Sequence, residues 1–198
     1  MINKIMLVLM TVSVVGVGIY AMLSALVPAF QSGFVRDMLE TTPLAASTHF
    51  LLGAIVIVIG ALQFNTRIRQ RHVLVHRWFG RIYVSGVFIG GVAGLVLAFS
   101  SFGGLVTHVG FGLLAVCWLI TTGIAFKQIR AGNISSHQNW MIRSYALTLG
   151  AVTLRIYLGL SQAFGLPFEE AYQTISWLAW VPNLIIAEWV FVKSRRGM

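Results

Sequence analysis

Apolar residues in this chain do not alternate with polar ones; they run on. Six stretches are almost free of charge, at residues 5–28, 47–65, 79–99, 105–126, 139–161 and 173–192. A helix needs about 20 apolar residues to cross the hydrocarbon of a bilayer, so each stretch predicts a membrane-spanning helix. The polar segments between them are short, with no Pro/Ser-rich linker and no low-complexity tract. The expected fold is an all-α integral membrane protein, a single membrane domain over residues 1–198 with six transmembrane helices. The first stretch follows Lys4 and has small residues near Ala21 and Ala25, as a signal peptide would. Its apolar run exceeds the roughly 7–15 residues of a signal core, so it is read as a retained helix.

Composition agrees with a lipid environment. Hydrophobic residues make up 58% of the chain and charged ones only 10%, against about 25% charged in soluble domains. A disordered chain, a disulfide scaffold and an ordinary soluble enzyme are thereby disfavoured. The net charge of +9 would suggest nucleic acid in a soluble protein, but here it sorts by loop. Lys4; Arg67, Arg69, Arg71, Arg77 and Arg81; Lys127, Arg130 and Arg143; and Lys193, Arg195 and Arg196 fall on one side, 12 of the 14 basic residues. The other side holds Arg36, Asp37, Glu40, an uncharged turn at 100–104, and Glu169 and Glu170. The positive-inside rule then puts both termini in the cytoplasm. No soluble domain or aromatic-basic platform points to nucleic acid. Trp78 and Trp140 are expected at the inner interface, and Trp177 and Trp180 at the outer.

A repeat lies within the helices. The second begins Thr48-His49-Phe50-Leu51-Leu52-Gly53 and the fourth Thr107-His108-Val109-Gly110-Phe111-Gly112. The third opens with His76 and then Trp78-x-x-Arg81-x-Tyr83. The fifth opens with His137 and then Trp140-x-x-Arg143-x-Tyr145. A duplicated helical hairpin follows, with units at about 47–99 and 105–161 and helices two to five as a four-helix core. Both copies start outside, so the repeat is parallel and its axis runs along the membrane normal. That axis relates His49 to His108 at an outer depth and His76 to His137 at an inner one.

Two symmetry-related histidine pairs suit bis-histidine ligation of haem b, one axial imidazole coming from each of two facing helices. Small residues must then line the ring and cations must meet the propionates. Gly53, Gly80 and Gly112 each lie one turn from a histidine, Arg81 and Arg143 are placed for inner propionates, and Arg155 for an outer group. Gly80, Gly90 and Gly94 lie within about 40° of His76, with Gly86 about 80° away. The run Gly86-x-x-x-Gly90-x-x-x-Gly94 suits a flat cofactor, and equally plain helix packing. His76 and His137 fall just before their helices or in the first turn, shallow positions for inner ligands.

Other chemistry is open. His72 and His76 form an i,i+4 metal pair if that loop is helical, with His137 as the third ligand of a metal-dependent membrane enzyme. His72 equally suits a solvated loop. Arg155 and Glu188 are ionisable residues inside helices, a costly placement. They stand at different depths, so Glu188 is expected to pair with Arg143 or to reach toward Lys193. Cys117, the single cysteine, reads as a small buried hydrophobe.

The segments His76-Arg77-Trp78-Phe79-Gly80-Arg81-Ile82-Tyr83-Val84 and His137-Gln138-Asn139-Trp140-Met141-Ile142-Arg143-Ser144-Tyr145-Ala146-Leu147, continuing to Arg155, resemble the bacterial predicted membrane proteins of domain of unknown function 2306. The resemblance covers roughly residues 47–160 and implies a multi-pass protein of the bacterial inner membrane, without an established activity. More loosely, the chain is similar to the six-helix transmembrane di-haem b cytochromes. That resemblance implies one histidine on each of helices two to five, pairing His49 with His108 and His76 with His137. The expected function is a haem b protein, with one or two haems, carrying electrons across or within the bilayer. Its partners would be lipid, and quinone or a redox protein. The alternative is a non-enzymatic transporter or small-molecule binding protein, suggested by the parallel repeat, the glycine face and Arg155.

Overall fold

In the computed structural model the described backbone runs from Lys4 to Lys193, with side chains from Met10 onward. Arg195 and Arg196 and the side chain of Lys4, which bear on the orientation of the termini, lie outside the described residues. Among the described residues the chain is entirely helical, with no strand. The helices are α1 (Lys4–Leu26), α2 (Gly33–Thr41), α3 (Pro43–Gln63), α4 (Thr66–Arg71), α5 (Val73–Phe99), α6 (Leu105–Arg130), α7 (Ile134–Thr148), α8 (Gly150–Ala163), α9 (Phe168–Leu178) and α10 (Val181–Ile186). A short 3-10 turn, Pro28–Phe30, follows α1, and a π-helical turn, Ala187–Val192, follows α10.

Among the described residues four helical runs are long and apolar enough to cross a membrane: Pro43–Gln63, Val73–Phe99, Leu105–Arg130 and Phe168–Val192. The first expected span is the 23-residue helix α1, of which Met10–Leu26 is the part described with side chains. The fifth is broken at Leu149 into α7 and α8. Gly150, a poor helix former, follows the break, and a Cβ there would meet Ala179 O and Trp180 Cβ at 3.4 Å. The helix carrying the sixth span breaks at Ala179 and Trp180, where Pro182 brings no N–H for the carbonyl of Leu178.

Helix starts also lie upstream of the apolar runs, at Pro43, Val73, Ile134 and Phe168. The first turn of a helix tolerates polar residues and proline, so hydropathy marks the lipid-soluble part of a helix and misses its cap. The connections are less simple than expected. Ser32 Oγ accepts from Val35 N (3.3 Å) and starts α2. Asn65 Oδ1 accepts from Arg67 N (2.9 Å) and Ile68 N (3.2 Å) and starts α4.

The chain forms two compact units, Met1–Ala93 and Gly94–Met198, which divide within α5. In the first, α1 and α2 pack on α3, with Val14, Val56, Tyr83 and Val87 wholly buried. Gly86 and Gly90 of α5 are covered by α3. A Cβ on Gly86 would lie 2.5 Å from Val56 Cγ2, and one on Gly90 would lie 3.3 Å from Leu52 Cβ. Here the glycine run serves helix packing. Gly86→Ala is therefore expected to destabilise the protein by about 1–3 kcal/mol. Val56→Ala in the same chain should relieve most of that cost, as read from thermal unfolding in detergent.

In the second unit α6 and α7 form a hairpin, closed by a turn in which Gly132 has φ +79°. Helix α9 packs against α6 and α8. Ala171 and Ile175 of α9 and the cap residue Ala179 are buried under Leu154, Tyr157 and Leu158. Trp180, expected at the outer interface, is buried, its indole N–H donating to Ser176 O (3.0 Å). Outward faces are apolar. Val109, Leu113, Val116 and Ile120 make an exposed stripe along α6 at helical spacing. Water penalises such stripes and lipid does not.

Candidate functional site

Each repeat histidine can be placed against its own hairpin. His49 is the seventh residue of α3, nearly two turns in from Pro43 rather than at the helix opening. His76, His108 and His137 are the fourth residues of α5, α6 and α7. The backbone N–H of each of these three makes the first helical bond, to His72 O, Gly104 O and Asn133 O respectively. His76 and His137 thus lie in first turns.

Side-chain bonds fix ring orientation. His49 Nδ1 lies 2.9 Å from Gly90 O on α5, and His137 Nδ1 lies 2.9 Å from Ala125 O on α6. A carbonyl only accepts, so Nδ1 carries the proton in both rings, and in the neutral imidazole Nε2 is then the lone-pair nitrogen. His108 is turned the other way, with Nε2 2.9 Å from Ser101 O. That bond leaves Nδ1 as its lone-pair atom.

These bonds also set the levels. In the first unit His49 is level with Gly90, which is 14 residues beyond His76 on α5, roughly 21 Å at 1.5 Å per residue. In the second unit His137 is level with Ala125, which is 17 residues beyond His108 on α6, roughly 25 Å. Each unit therefore holds two histidines near opposite ends of its hairpin. The glycines one turn beyond three of them stand beside little. A Cβ on Gly53 would meet nothing within 4 Å, one on Gly80 only Gln63 Oε1 at 3.9 Å, and one on Gly112 only Ala98 Cβ at 4.0 Å.

The Trp-x-x-Arg-x-Tyr motifs behave alike. Arg81 lies over the Trp78 ring (4.9 Å) and Arg143 over the Trp140 ring (4.4 Å), cation–π contacts between residues one turn apart. Tyr83 and Tyr145 are both buried. Beyond that the copies diverge. Arg81 is exposed. Arg143 meets Glu188 Oε2 through Nη2 (2.6 Å) and Nε (2.8 Å), the pairing its depth suggested. Glu188 lies in the π-helical turn, whose wide bond runs from Lys193 N to Glu188 O. Arg155 donates from Nη1 to Ala151 O (2.9 Å) on its own helix.

The condition for a helical His72/His76 pair is not met, and His72 stands as the solvated loop residue that the sequence also suited. His72 is exposed and lies outside both α4 and α5, with φ −119° and ψ 57°. Among the described residues no group of three or more His, Cys, Asp or Glu gathers as a metal site. Cys117 is half-buried.

Sequence reasoning passed over a polar ladder in the second unit. Thr122 Oγ1 and Ser144 Oγ lie 2.7 Å apart, and the Trp118 indole donates to Thr148 Oγ1 (2.9 Å). Asn183 Nδ2 donates to Thr153 Oγ1 (2.7 Å) and Ala179 O (3.1 Å), joining the two helix breaks. The available signal was the presence of Thr, Ser and Asn inside apolar spans, where polar side chains seek partners on facing helices.

The helices, their apolar outer faces and their internal polar pairs define an all-helical membrane protein. The profile of the predicted membrane protein family, domain of unknown function 2306 (DUF2306), matches residues 46–191. The chain belongs to this family, and the match runs from α3 through the π-helical turn, beyond the motifs that first suggested it. No curated protein and no solved structure matches the chain.

Proposed function

We propose that this protein binds haem b and carries electrons across or within the bilayer, to or from quinone or a partner protein. His49 and His108 would be the axial ligands on one side, His76 and His137 on the other. The observation that carries this reading is the two-level placement of histidines in each unit, at roughly 21 and 25 Å. The tautomer supports it. An Nδ1–H bonded to a carbonyl is the usual outer partner of a metal-ligating imidazole, and it directs the Nε2 lone pair toward the metal. His49 and His137 have that arrangement. His108 would have to turn its ring or bind through Nδ1. Gly53, Gly80 and Gly112 leave room for a flat macrocycle beside three of the four. Arg81 is the exposed cation for an inner propionate. Arg143, already neutralised by Glu188, would contribute less, and Arg155 would serve the outer level. Haem, when bound, supplies a one-electron centre whose potential follows its axial ligands and burial.

The same reading takes helices α3, α5, α6 and α7–α8 as a duplicated hairpin within six membrane segments. The matched Trp–Arg stacking and the buried tyrosines support it. Both termini would face the cytoplasm of a bacterial inner membrane. The test is a dithionite-reduced minus oxidised spectrum of protein purified after expression with ample haem. Soret and α bands are expected, and their absence overturns the proposal.

A second reading, a transporter or small-molecule binding protein, rests on the facing breaks at Leu149 and Ala179–Trp180. Interrupted membrane helices free backbone polar groups where a solute can bind. Uptake of a small anion by proteoliposomes of haem-free protein would favour it.

A further inference from the structure

Residues 66–81, which carry the chain from α3 into α5, present a surface of which the haem reading uses only His76 and Arg81. They contain five basic side chains, Arg67, Arg69, Arg71, Arg77 and Arg81, and no lysine. No Asp or Glu occurs between Glu40 and Glu169, so the segment has no carboxylate of its own. Arg67, Arg71, Arg77 and Arg81 are exposed and Arg69 is half-exposed. The Asn65 cap holds the first three on a helical turn rather than on loose chain. Apolar side chains interleave with them, Leu74 being 72% and Trp78 60% exposed. Leu74, Trp78 and Arg81 follow one face of α5 at i, i+4 and i+7, with the Arg81 guanidinium over the Trp78 ring.

Positive charge alone would suit any polyanion. The exposed leucine and tryptophan discriminate. In water they are a cost, whereas at the junction of head groups and acyl chains tryptophan is at home. Nucleic acid and acidic proteins offer anions without an adjoining hydrocarbon phase; an anionic phospholipid offers both. The guanidinium fork also matches a phosphate through two parallel hydrogen bonds, which an ammonium cannot do. We propose that the arginines of residues 66–81 form a binding surface for the phosphate head groups of anionic phospholipids, with Leu74 and Trp78 seated beside the acyl chains.

The test is native mass spectrometry of the full chain in detergent, titrated with phosphatidylglycerol, phosphatidylcholine or inorganic phosphate. Phosphatidylglycerol is expected to be retained in preference to phosphatidylcholine. The variant R67Q/R69Q/R71Q/R77Q should lower that retention about tenfold or more, while K127Q/R130Q should leave it unchanged. Because lost charge can also disturb membrane orientation, R67K/R69K/R71K/R77K keeps the charge and removes the fork. It should still prefer phosphatidylglycerol, with retention several-fold weaker than that of the natural chain. Equal retention of phosphatidylcholine, an equal response to inorganic phosphate, or undiminished binding by the glutamine variant would each overturn the proposal. Undiminished binding by the lysine variant would overturn the part assigned to the guanidinium.

Discussion

Replacing Glu188 by leucine is expected to destabilise the protein by about 3 kcal/mol, the lower end of the range for removing one partner of a buried pair. Arg143 is the reason. Its side chain is only 12% exposed and that of Glu188 32%, so loss of the carboxylate leaves a guanidinium with little water to solvate it. The Trp140 ring below Arg143 offers cation–π attraction but no counter-charge. The double variant Arg143→Leu/Glu188→Leu should recover most of the loss, because replacing both members of such a pair by apolar residues is often close to neutral. Unfolding in detergent for the two single variants and the double one forms a cycle. A coupling energy below about 0.5 kcal/mol would show that the contact contributes little. The π-helical turn adds a structural marker. Such turns are rare and are kept where they aim a side chain, and Glu188 is the residue its wide bond closes on.

His49→Ala and His108→Ala should each remove the same spectral component of the haem-loaded protein, and remove it entirely. Loss of an axial imidazole is an all-or-none change in coordination, unlike the graded cost of losing a packing contact. His76→Ala and His137→Ala should together define the other component. The two outer rings start from different states, since His49 already has Nδ1 committed to Gly90 O and His108 has Nε2 committed to Ser101 O. If His49→Ala and His108→Ala removed different components, the pairing would be wrong even with haem present.

Much of this was legible in the chain. Long uncharged runs announced lipid-embedded helices, because no other backbone form satisfies its own hydrogen bonds in hydrocarbon without closing a barrel. The Trp-x-x-Arg repeat was legible as a motif, while the stacking that its spacing allows came from the structure. The depth of Glu188 left Arg143 or Lys193 as its partner, and the structure pairs it with Arg143. Other features were not legible. The break at Leu149 lies within an apolar stretch that hydropathy reads as continuous, beside a glycine that packs against Ala179. The short helices α2 and α4 lie in segments too polar for hydropathy to register, and single cap residues start them.

The sequence by itself determined the membrane class and the all-helical backbone, because hydrophobicity and the helical repeat are local properties. Tertiary structure alone decided which imidazole nitrogen faces a carbonyl, which glycines are covered and which stand open, and where two helices break against each other. Those outcomes depend on groups up to 41 positions apart, such as His49 with Gly90 and Gly86 with Val56. No local pattern encodes the ångström-scale fit between them.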